Sequence, residues 1–365
     1  MPLKIISVAG ARPNFVKIAP LYRAFQQYGS LVVHRICHTG QHSDEKMSKV
    51  FFDELEIPAP DFYLGARGST HATQTAAIMV TFEKVLDAEN PDLVIVPGDV
   101  NSTLAAALTA AKKEIKIAHV EAGLRSFDRT MPEEINRIVT DVLADLLFVT
   151  EQSGMDNLRR EGIGEEKIFF TGNVMIDSLI YCLDRIKQLR VCRSFSLDPG
   201  DYVIVTFHRP SNVDTAGGLE KLTDLLAFLS GHHPVIFPMH PRTRENFKKF
   251  DLLKKIPSRV ILTEPLGYVD FLSLVYHARM VVTDSGGIQE ETTFLGIPCI
   301  TVRNSTERPV TVTEGTNHLA GTDMQKVKEI VLQVLEGKSK EGKIPPLWDG
   351  KAAERIARII MEKYA

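Results

Sequence analysis

The sequence is short of cysteine, of excess charge and of long apolar runs, and each shortage narrows what it can do. Cys37, Cys182, Cys192 and Cys299 show no C-x-x-C spacing, so they read as buried or incidental thiols of a reducing cytoplasm. With 43 basic against 46 acidic side chains the net charge is −3. No general basic field points to nucleic acid, and an anionic substrate must be met by local groups. No stretch approaches the ~20 apolar residues needed to span a bilayer, so no membrane association is expected. A strand is expected from Leu3 to Ala9, which leaves no room for a signal peptide and makes the cytoplasm the expected compartment. The first turn carries Gly10 alone where a dinucleotide fold wants G-x-G-x-x-G, which disfavours nicotinamide. The loop Gly98–Thr103 lacks the G-K-[ST] of a nucleoside triphosphate loop. There is no D-x-D pair, H-E-x-x-H, Cys or His cluster, or G-x-S-x-G elbow, so neither a metal nor another cofactor is expected.

What is present is a globular composition, 44% hydrophobic and 24% charged over 365 residues, a length that fits two domains. Short apolar runs alternate with helical periodicity along the whole chain, the pattern of an α/β fold with parallel sheets. In the first half the expected strands are 3–9, 31–38, 91–97, 115–119, 146–150 and 168–170. A helical stretch carrying Met47, Val50 and Phe51 follows the Thr39–His42 loop. The charged segment Asp184–Gly200 reads as the connection between domains. In the second half strands are expected at 202–207, 235–238, 260–262, 280–283 and 299–302. Two doubly wound domains are thus expected to face each other across a cleft, with ligands outside the carboxyl ends of the strands. Arg12, Gln41, Asp99, Glu121, His208, His240 and Ser285 each follow an expected strand.

The chain is organised around Val281–Glu291. An apolar run enters a turn at Ser285-Gly286-Gly287, and a helix follows. Backbone N–H groups at such a helix start bind anions, and glycine lets a phosphate approach the backbone. Glu290 and Glu291, one turn in, suit sugar hydroxyls. Arg12 and Lys17 flank another helix start, where Pro13 has no N–H to lose, and form a candidate diphosphate clamp. Asp99, Glu121, Glu133 and Glu134 offer acid–base groups, and His208-Arg209 invites an anion. Asp99 also fits a helix cap, and Glu133 alone is better explained as a first-turn charge favoured by the helix dipole. Glu121 follows a buried strand in an uncharged Ala-Gly context and resists a purely structural explanation.

Eight motifs then stand in order: Gly10-Ala-Arg-Pro-Asn-Phe-Val-Lys17, Pro97-Gly-Asp99, His119-Val-Glu-Ala-Gly-Leu-Arg125, Pro132-Glu-Glu-Ile-Asn-Arg137, Thr171-Gly-Asn173, His208-Arg209, Thr283-Asp-Ser-Gly-Gly-Ile-Gln-Glu-Glu291 and Thr306-Glu-Arg-Pro309. Together they resemble the non-hydrolysing UDP-N-acetylglucosamine 2-epimerases over nearly the whole chain. The resemblance implies the GT-B architecture, two Rossmann-like domains. It assigns residues 1–183 to an N-terminal domain, with the C-terminal helix (350–365) packing back on it, and 184–349 to the linker and a UDP-binding domain. It implies catalysis by Asp99, Glu121, Glu133 and His208, and UDP-sugar contacts from Arg12, Lys17, Phe271, Ser285, Gly286, Gly287, Glu291 and Arg308. Phe271, on the turn from Tyr268, would stack near the uracil. It also implies a homodimer and a role in polysaccharide or glycan supply. Two positions depart from the family's bacterial pattern: Asn14 stands where many members have Glu, and Pro210 where many have a second basic residue. In those members this neighbourhood, with the Gln41-His42 loop, binds an activating substrate molecule, so substrate activation is left open here. The segment Thr39–Leu64 also resembles a subgroup that includes epimerases of UDP-diacetamido-glucuronate. A GT-B glycosyltransferase is the rival reading.

Overall fold

The computed structural model describes residues 1–40 and 52–365, with Arg12 described through its backbone alone. Gln41, His42 and the helical stretch expected around Met47, Val50 and Phe51 lie outside the described residues. The chain divides into two units, 1–181 with 346–365, and 182–345.

The first unit runs β1 (Leu3–Ala9), α1 (Arg12–Gln26), β2 (Val32–His38), β3 (Phe62–Tyr63), α2 (His71–Glu89), β4 (Leu93–Pro97), α3 (Asn101–Lys112), β5 (Lys116–Ala122), α4 (Pro132–Leu143), β6 (Leu146–Val149), α5 (Gln152–Arg160), β7 (Ile168–Phe170) and α6 (Val174–Gln188). Its strands lie in the order β3-β2-β1-β4-β5-β6-β7, all parallel. Strands such as Leu93-Val-Ile-Val-Pro97 are buried throughout, as a parallel sheet covered on both faces requires. One face packs Ile6, Val94, Phe82 and Leu147; the other packs Ile5, Phe25, Ile95 and Phe148.

The second unit runs β8 (Val203–Thr206), α7 (Pro210–Val213), α8 (Ala216–His232), β9 (Val235–Pro238), α9 (Pro241–Lys249), β10 (Val260–Thr263), α10 (Tyr268–Tyr276), β11 (Met280–Thr283), α11 (Gly287–Leu295), β12 (Cys299–Thr301), α12 (Val310–Thr313), β13 (Asn317–Leu319) and α13 (Met324–Leu335). Its sheet has the order β10-β9-β8-β11-β12-β13, again parallel. The last helix, α14 (Ala352–Tyr364), belongs to the first unit. Ala353, Ile356, Ala357 and Ile360 join the core that includes Leu21 and Phe25 of α1. Asp177 fixes its start by accepting from the N–H groups of Ala352 (3.2 Å) and Ala353 (2.7 Å). The Trp348 indole donates to the Thr150 carbonyl at 3.0 Å.

The pair of Rossmann-like sheets is the expected GT-B class of fold, and the strand order locates the functional ends. In each sheet the winding reverses between two neighbouring strands, β1 and β4 in the first, β8 and β11 in the second. A crevice opens at such a switch point, outside the carboxyl ends. Arg12 and Asp99 follow the first pair, and His208 and Ser285 follow the second. Three local expectations need correction. The charged segment from Asp184 is helical to Gln188 and holds a 3-10 turn at Val191–Phe195. Phe271 sits in the first turn of α10, because the apolar spacing of Tyr268, Val269, Leu272 and Val275 extends the helix back to Gly267. Glu121 lies within β5, which runs on to Ala122.

Candidate active site

Among the candidate acid–base groups of the first unit, Asp99 and Glu133 depend on α4, whose polarity is reversed. Glu134, Asn136, Arg137, Thr140 and Asp141 are its buried residues, while Ile135 and Val142 are 49% and 62% exposed. Buried polar groups survive only with partners, and here the partners are the loops that carry the site. Glu134 accepts from the Ser126 N–H (2.9 Å) and hydroxyl (2.9 Å) and from the Phe127 N–H (2.8 Å). Arg137 ion-pairs with Glu134 and, through its other terminal nitrogen, with Asp99. Asn136 donates to the Asp99 carbonyl at 2.9 Å. Asp99 is therefore fixed from α4. It does not cap α3, whose N-cap is Val100. Glu133 stands half-buried in the first turn of α4, one residue from this network.

Glu121 is held differently. It has φ of +75°, uncommon for a residue with a side chain, and it is the extra residue where the β5–β6 register shifts between Val120 and Ala122. Its carboxylate ion-pairs with Lys17, and both side chains are nearly fully buried. Lys17 reaches this point over Gly98: a Cβ there would lie 2.8 Å from the ammonium nitrogen, and Gly98 itself has φ of +70°. Asn14 closes the same corner. Its carbonyl accepts from the N–H groups of Gly10 (3.0 Å) and Ala11 (2.9 Å), and its amide donates to the Pro97 carbonyl (3.0 Å). The departure at Asn14 thus has a structural use, joining the ends of β1 and β4.

Below Glu121 lies Asp141, fully buried. It meets His119 Nδ1 at 2.6 Å, the Gly123 N–H at 3.1 Å and Arg125 at 2.7 Å. Burial pushes its carboxyl up, but His119 and Arg125 outweigh burial and hold it below the usual range. The second ring nitrogen of His119 lies 2.8 Å from the Gly98 carbonyl. Arg125 also pairs with Glu161, at 2.6 Å and 2.8 Å.

In the second unit His208 is oriented by Asp284. The ring Nδ1 lies 3.0 Å from Asp284 Oδ1, with the imidazole 45% exposed and the carboxylate fully buried. Asp284 also accepts from the N–H groups of His208 (3.1 Å) and Arg209 (2.9 Å) and from Asn212 (3.0 Å). Burial works to raise its pKa, and these bonds, that from His208 first, bring it below the usual carboxylate value. Pro210 starts α7, where a missing N–H costs nothing.

Ser285 follows β11, and its N–H donates to Thr283 Oγ1 at 2.9 Å. Gly286 is the N-cap of α11 and Gly287 its first residue. A Cβ on Gly286 would stand 2.7 Å from both Arg308 Nη1 and a Glu307 oxygen, so a side chain there would displace these two groups. Arg308 is buried against this cap and ion-pairs with Glu290 (2.9 Å) and Glu307 (2.7 Å). Glu291 is buried one turn in. Burial, then the neighbouring Glu290 charge, push its carboxyl up to about 8 despite a hydrogen bond with Tyr268. A neutral carboxyl donates as well as accepts, which suits a hydroxyl partner. Phe271 is half-buried in α10. His240 serves as an N-cap, accepting from the Arg242 N–H at 3.3 Å.

Within the first unit, then, Asp99 is tied to α4, Glu133 stands on it, and Glu121 pairs with Lys17 of α1. Within the second, Ser285, Gly286, Gly287, Glu291 and Arg308 gather around the start of α11, and His208 stands beside them through Asp284. Sequence reasoning missed the residues that hold these groups: Arg137, Asp141, His119 and Asp284. All lie inside the recognised motifs or one turn from them, but burial of a charged side chain leaves no periodic signal that distinguishes it from exposure. Among the described residues no group of three or more His, Cys, Asp or Glu side chains is placed to hold a metal ion, and no helix is long and apolar enough to cross a membrane.

Comparison with known proteins places this geometry in a lineage. The family model described as UDP-N-acetylglucosamine 2-epimerase matches residues 26–361. The chain is 41% identical over 365 residues to the UDP-N-acetylglucosamine 2-epimerase of Methanocaldococcus jannaschii, covering 98% of this chain and 99% of that one. It is 39% identical over 362 residues to the UDP-2,3-diacetamido-2,3-dideoxy-D-glucuronate 2-epimerase of Pseudomonas aeruginosa, covering 98% and 99%. The crystal structure of the M. jannaschii enzyme in complex with UDP-GlcNAc and UDP superposes with a TM-score of 0.91 at 40% identity, covering 99% of this chain and 100% of that one. The chain belongs to the UDP-N-acetylglucosamine 2-epimerase family, a family of isomerases.

Proposed function

We propose that this chain interconverts UDP-N-acetylglucosamine and UDP-N-acetylmannosamine by anti elimination and re-addition of UDP. The C2 proton of a glycosyl nucleotide is not adjacent to a carbonyl and is barely acidic, so a carboxylate alone cannot remove it near neutral pH. Coupling removes the difficulty. A carboxylate takes the C2 proton as the C1–O bond breaks, its electrons leave with UDP, and C1 and C2 become doubly bonded in a 2-acetamidoglucal. UDP then adds back at C1 while a proton reaches C2 from the other face. One carboxylate does not easily serve both faces, and the first unit offers Asp99, Glu121 and Glu133. The charge that departs with UDP needs donors already in place. The start of α11 with Ser285, Gly286 and Gly287 supplies them, with Arg12, Lys17 and Arg308 as cations. His208 acts beside them, Phe271 stacks near the uracil, and Glu291 takes a hydroxyl.

The observation that carries this reading is the reversed helix α4, which spends its buried face on fixing acidic groups. Asp99 is bound through Arg137 and Asn136, and Glu133 stands on the helix itself. A glycosyltransferase of the same fold has no need of such groups over C2. The test is to incubate the protein with UDP-N-acetylglucosamine alone and look for the C2 epimer. A parallel incubation with the UDP-diacetamido-glucuronate decides between the two sugars, the second being raised by the likeness to the P. aeruginosa relative. Failure to epimerise either one rejects the reading. We place the reaction in the cytoplasm and take the active form to be a homodimer, because Ile135, Val139 and Val142 line one exposed side of α4 and an apolar stripe of this kind favours burial against a partner.

A further inference from the structure

Of the polar networks in the first unit, the one around Asp141 is the least explained by folding alone. It is a fully buried carboxylate, and a helix facing a sheet gains as much from an apolar residue there. What it touches is informative. Its three partners are His119, Gly123 and Arg125, and the first two lie two residues before and two residues after Glu121. Glu121 is the one residue of β5 with a left-handed backbone, at the register shift. A left-handed conformation at a residue with a side chain is unfavourable and lasts only where the surroundings over-determine it. On either side the chain is pinned. The strand before it is tied through His119, whose other nitrogen meets the Gly98 carbonyl at 2.8 Å. The chain after it is tied through the Gly123 N–H, while the Gly123 carbonyl accepts from Asn157 at 2.9 Å. A Cβ on Gly123 would collide with the Gly154 backbone, so the chain packs closely there. Arg125, locked between Asp141 and Glu161, closes the third side.

We propose that Asp141 is a positioning residue for the epimerisation: through His119, Gly123 and Arg125 it holds Glu121 in the left-handed bulge that turns its carboxylate to Lys17. The inference rests on the reading of Glu121 as an acid–base group. The same contacts set the Gly98-Asp99 peptide through His119, so Asp141 also reaches the second carboxylate. One α4 face thus serves both, Asp99 from Arg137 and Glu121 from Asp141, one helical turn further along.

The test is a double-mutant cycle on the full chain with Asp141→Asn, Glu121→Gln and the two combined, reading kcat, KM, UDP affinity and thermal midpoint. Asp141→Asn keeps the shape and removes the charge. The expected result is a fall of about 10²-fold in kcat, the scale of a small misplacement of a reacting group, with KM and UDP affinity within about twofold of the unmodified protein. The combined variant turns over no more slowly than Glu121→Gln, because the two changes remove one function. Wild-type kcat in Asp141→Asn overturns the proposal. So do multiplied losses in the combined variant, or a loss of kcat matched by an equal loss of UDP affinity, which marks a purely structural role. Where Asp141→Asn does not fold, His119→Gln removes one arm and is read in the same cycle with the same outcomes. Full turnover in Glu121→Gln alone rejects the reading of Glu121 instead, and the two failures are distinct.

Discussion

In the first unit three acidic groups each face a buried cation: Glu121 meets Lys17, Asp99 meets Arg137, and Asp141 meets Arg125. In the second unit two acids stand side by side, Glu290 and Glu291, and Glu291 is pushed up to about 8 by burial and by its neighbour. The same side-chain type is thus given two uses by what surrounds it. Where a cation opposes it, the carboxylate has a fixed direction, as a group that must meet one C–H bond requires. Where burial and a like charge oppose ionisation, the carboxyl is a neutral hydrogen-bond partner, which on the proposed reading would add no repulsion beside a diphosphate. His208 stands between the extremes, exposed at the ring and held from below by a buried Asp284.

The sharpest way to break this comparison is to neutralise the proposed acid–base groups of the first unit. Asp99→Asn, Glu121→Gln and Glu133→Gln keep size and hydrogen bonding, and each is expected to lower turnover by at least ~10²-fold with UDP affinity nearly intact. Steady-state kinetics paired with calorimetry checks it; normal turnover in any one of them removes that residue from the acid–base set. Next in size is Arg308→Ala, expected to weaken UDP binding by ~1.5–3 kcal/mol, the worth of a charge-assisted bond. The variant also leaves Glu290 and Glu307 without their cation, which adds to the loss. Unchanged UDP affinity by calorimetry takes Arg308 out of the anion site. Asp284→Asn is expected to lower kcat by ~10-fold, the lower end for removing the partner that orients a functional histidine. Its UDP affinity should move less than its kcat.

The last effect, on stability rather than on turnover or binding, concerns Glu291. Its carboxyl titrates at about 8 in the folded chain against an ordinary value of 4.5. Between these values the folded chain keeps a proton that the unfolded chain has lost. The contribution of Glu291 to stability is therefore complete below about pH 4.5, falls as pH rises towards 8, and is level above it. Chemical denaturation from pH 5 to 8 should show a shallower decline in Glu291→Gln than in the unmodified chain. Parallel slopes contradict the assignment of a neutral Glu291.

The chain's alternation of apolar runs and helical periods made the inner strands of both sheets legible, because parallel strands buried on two faces leave continuous runs such as Leu93–Pro97. The short edge strands β3 and β13 leave no such run and were not legible. The helix starts were legible where glycine or proline marks them, at Pro13 and at Gly286-Gly287. What stayed hidden was the orientation of α4. Its apolar residues at 135, 139 and 142 and its polar residues at 134, 137 and 141 share helical spacing, so periodicity alone puts the wrong side inward. Tertiary partners reversed it, and no partner is visible in one sequence. For the same reason Glu121 read as a residue after a strand, when it is the bulge within one. Gln41 and His42 stand outside the described residues, and Arg12 is described through its backbone alone.

The most direct test of elimination at C2 is to run the reaction in D₂O with UDP-N-acetylglucosamine and follow C2 by NMR and mass spectrometry. The account predicts deuterium at C2 of the product, entering as the epimer forms, together with slow release of 2-acetamidoglucal and free UDP. Epimer formed with the original C2 hydrogen fully retained, and with no glycal, would contradict it.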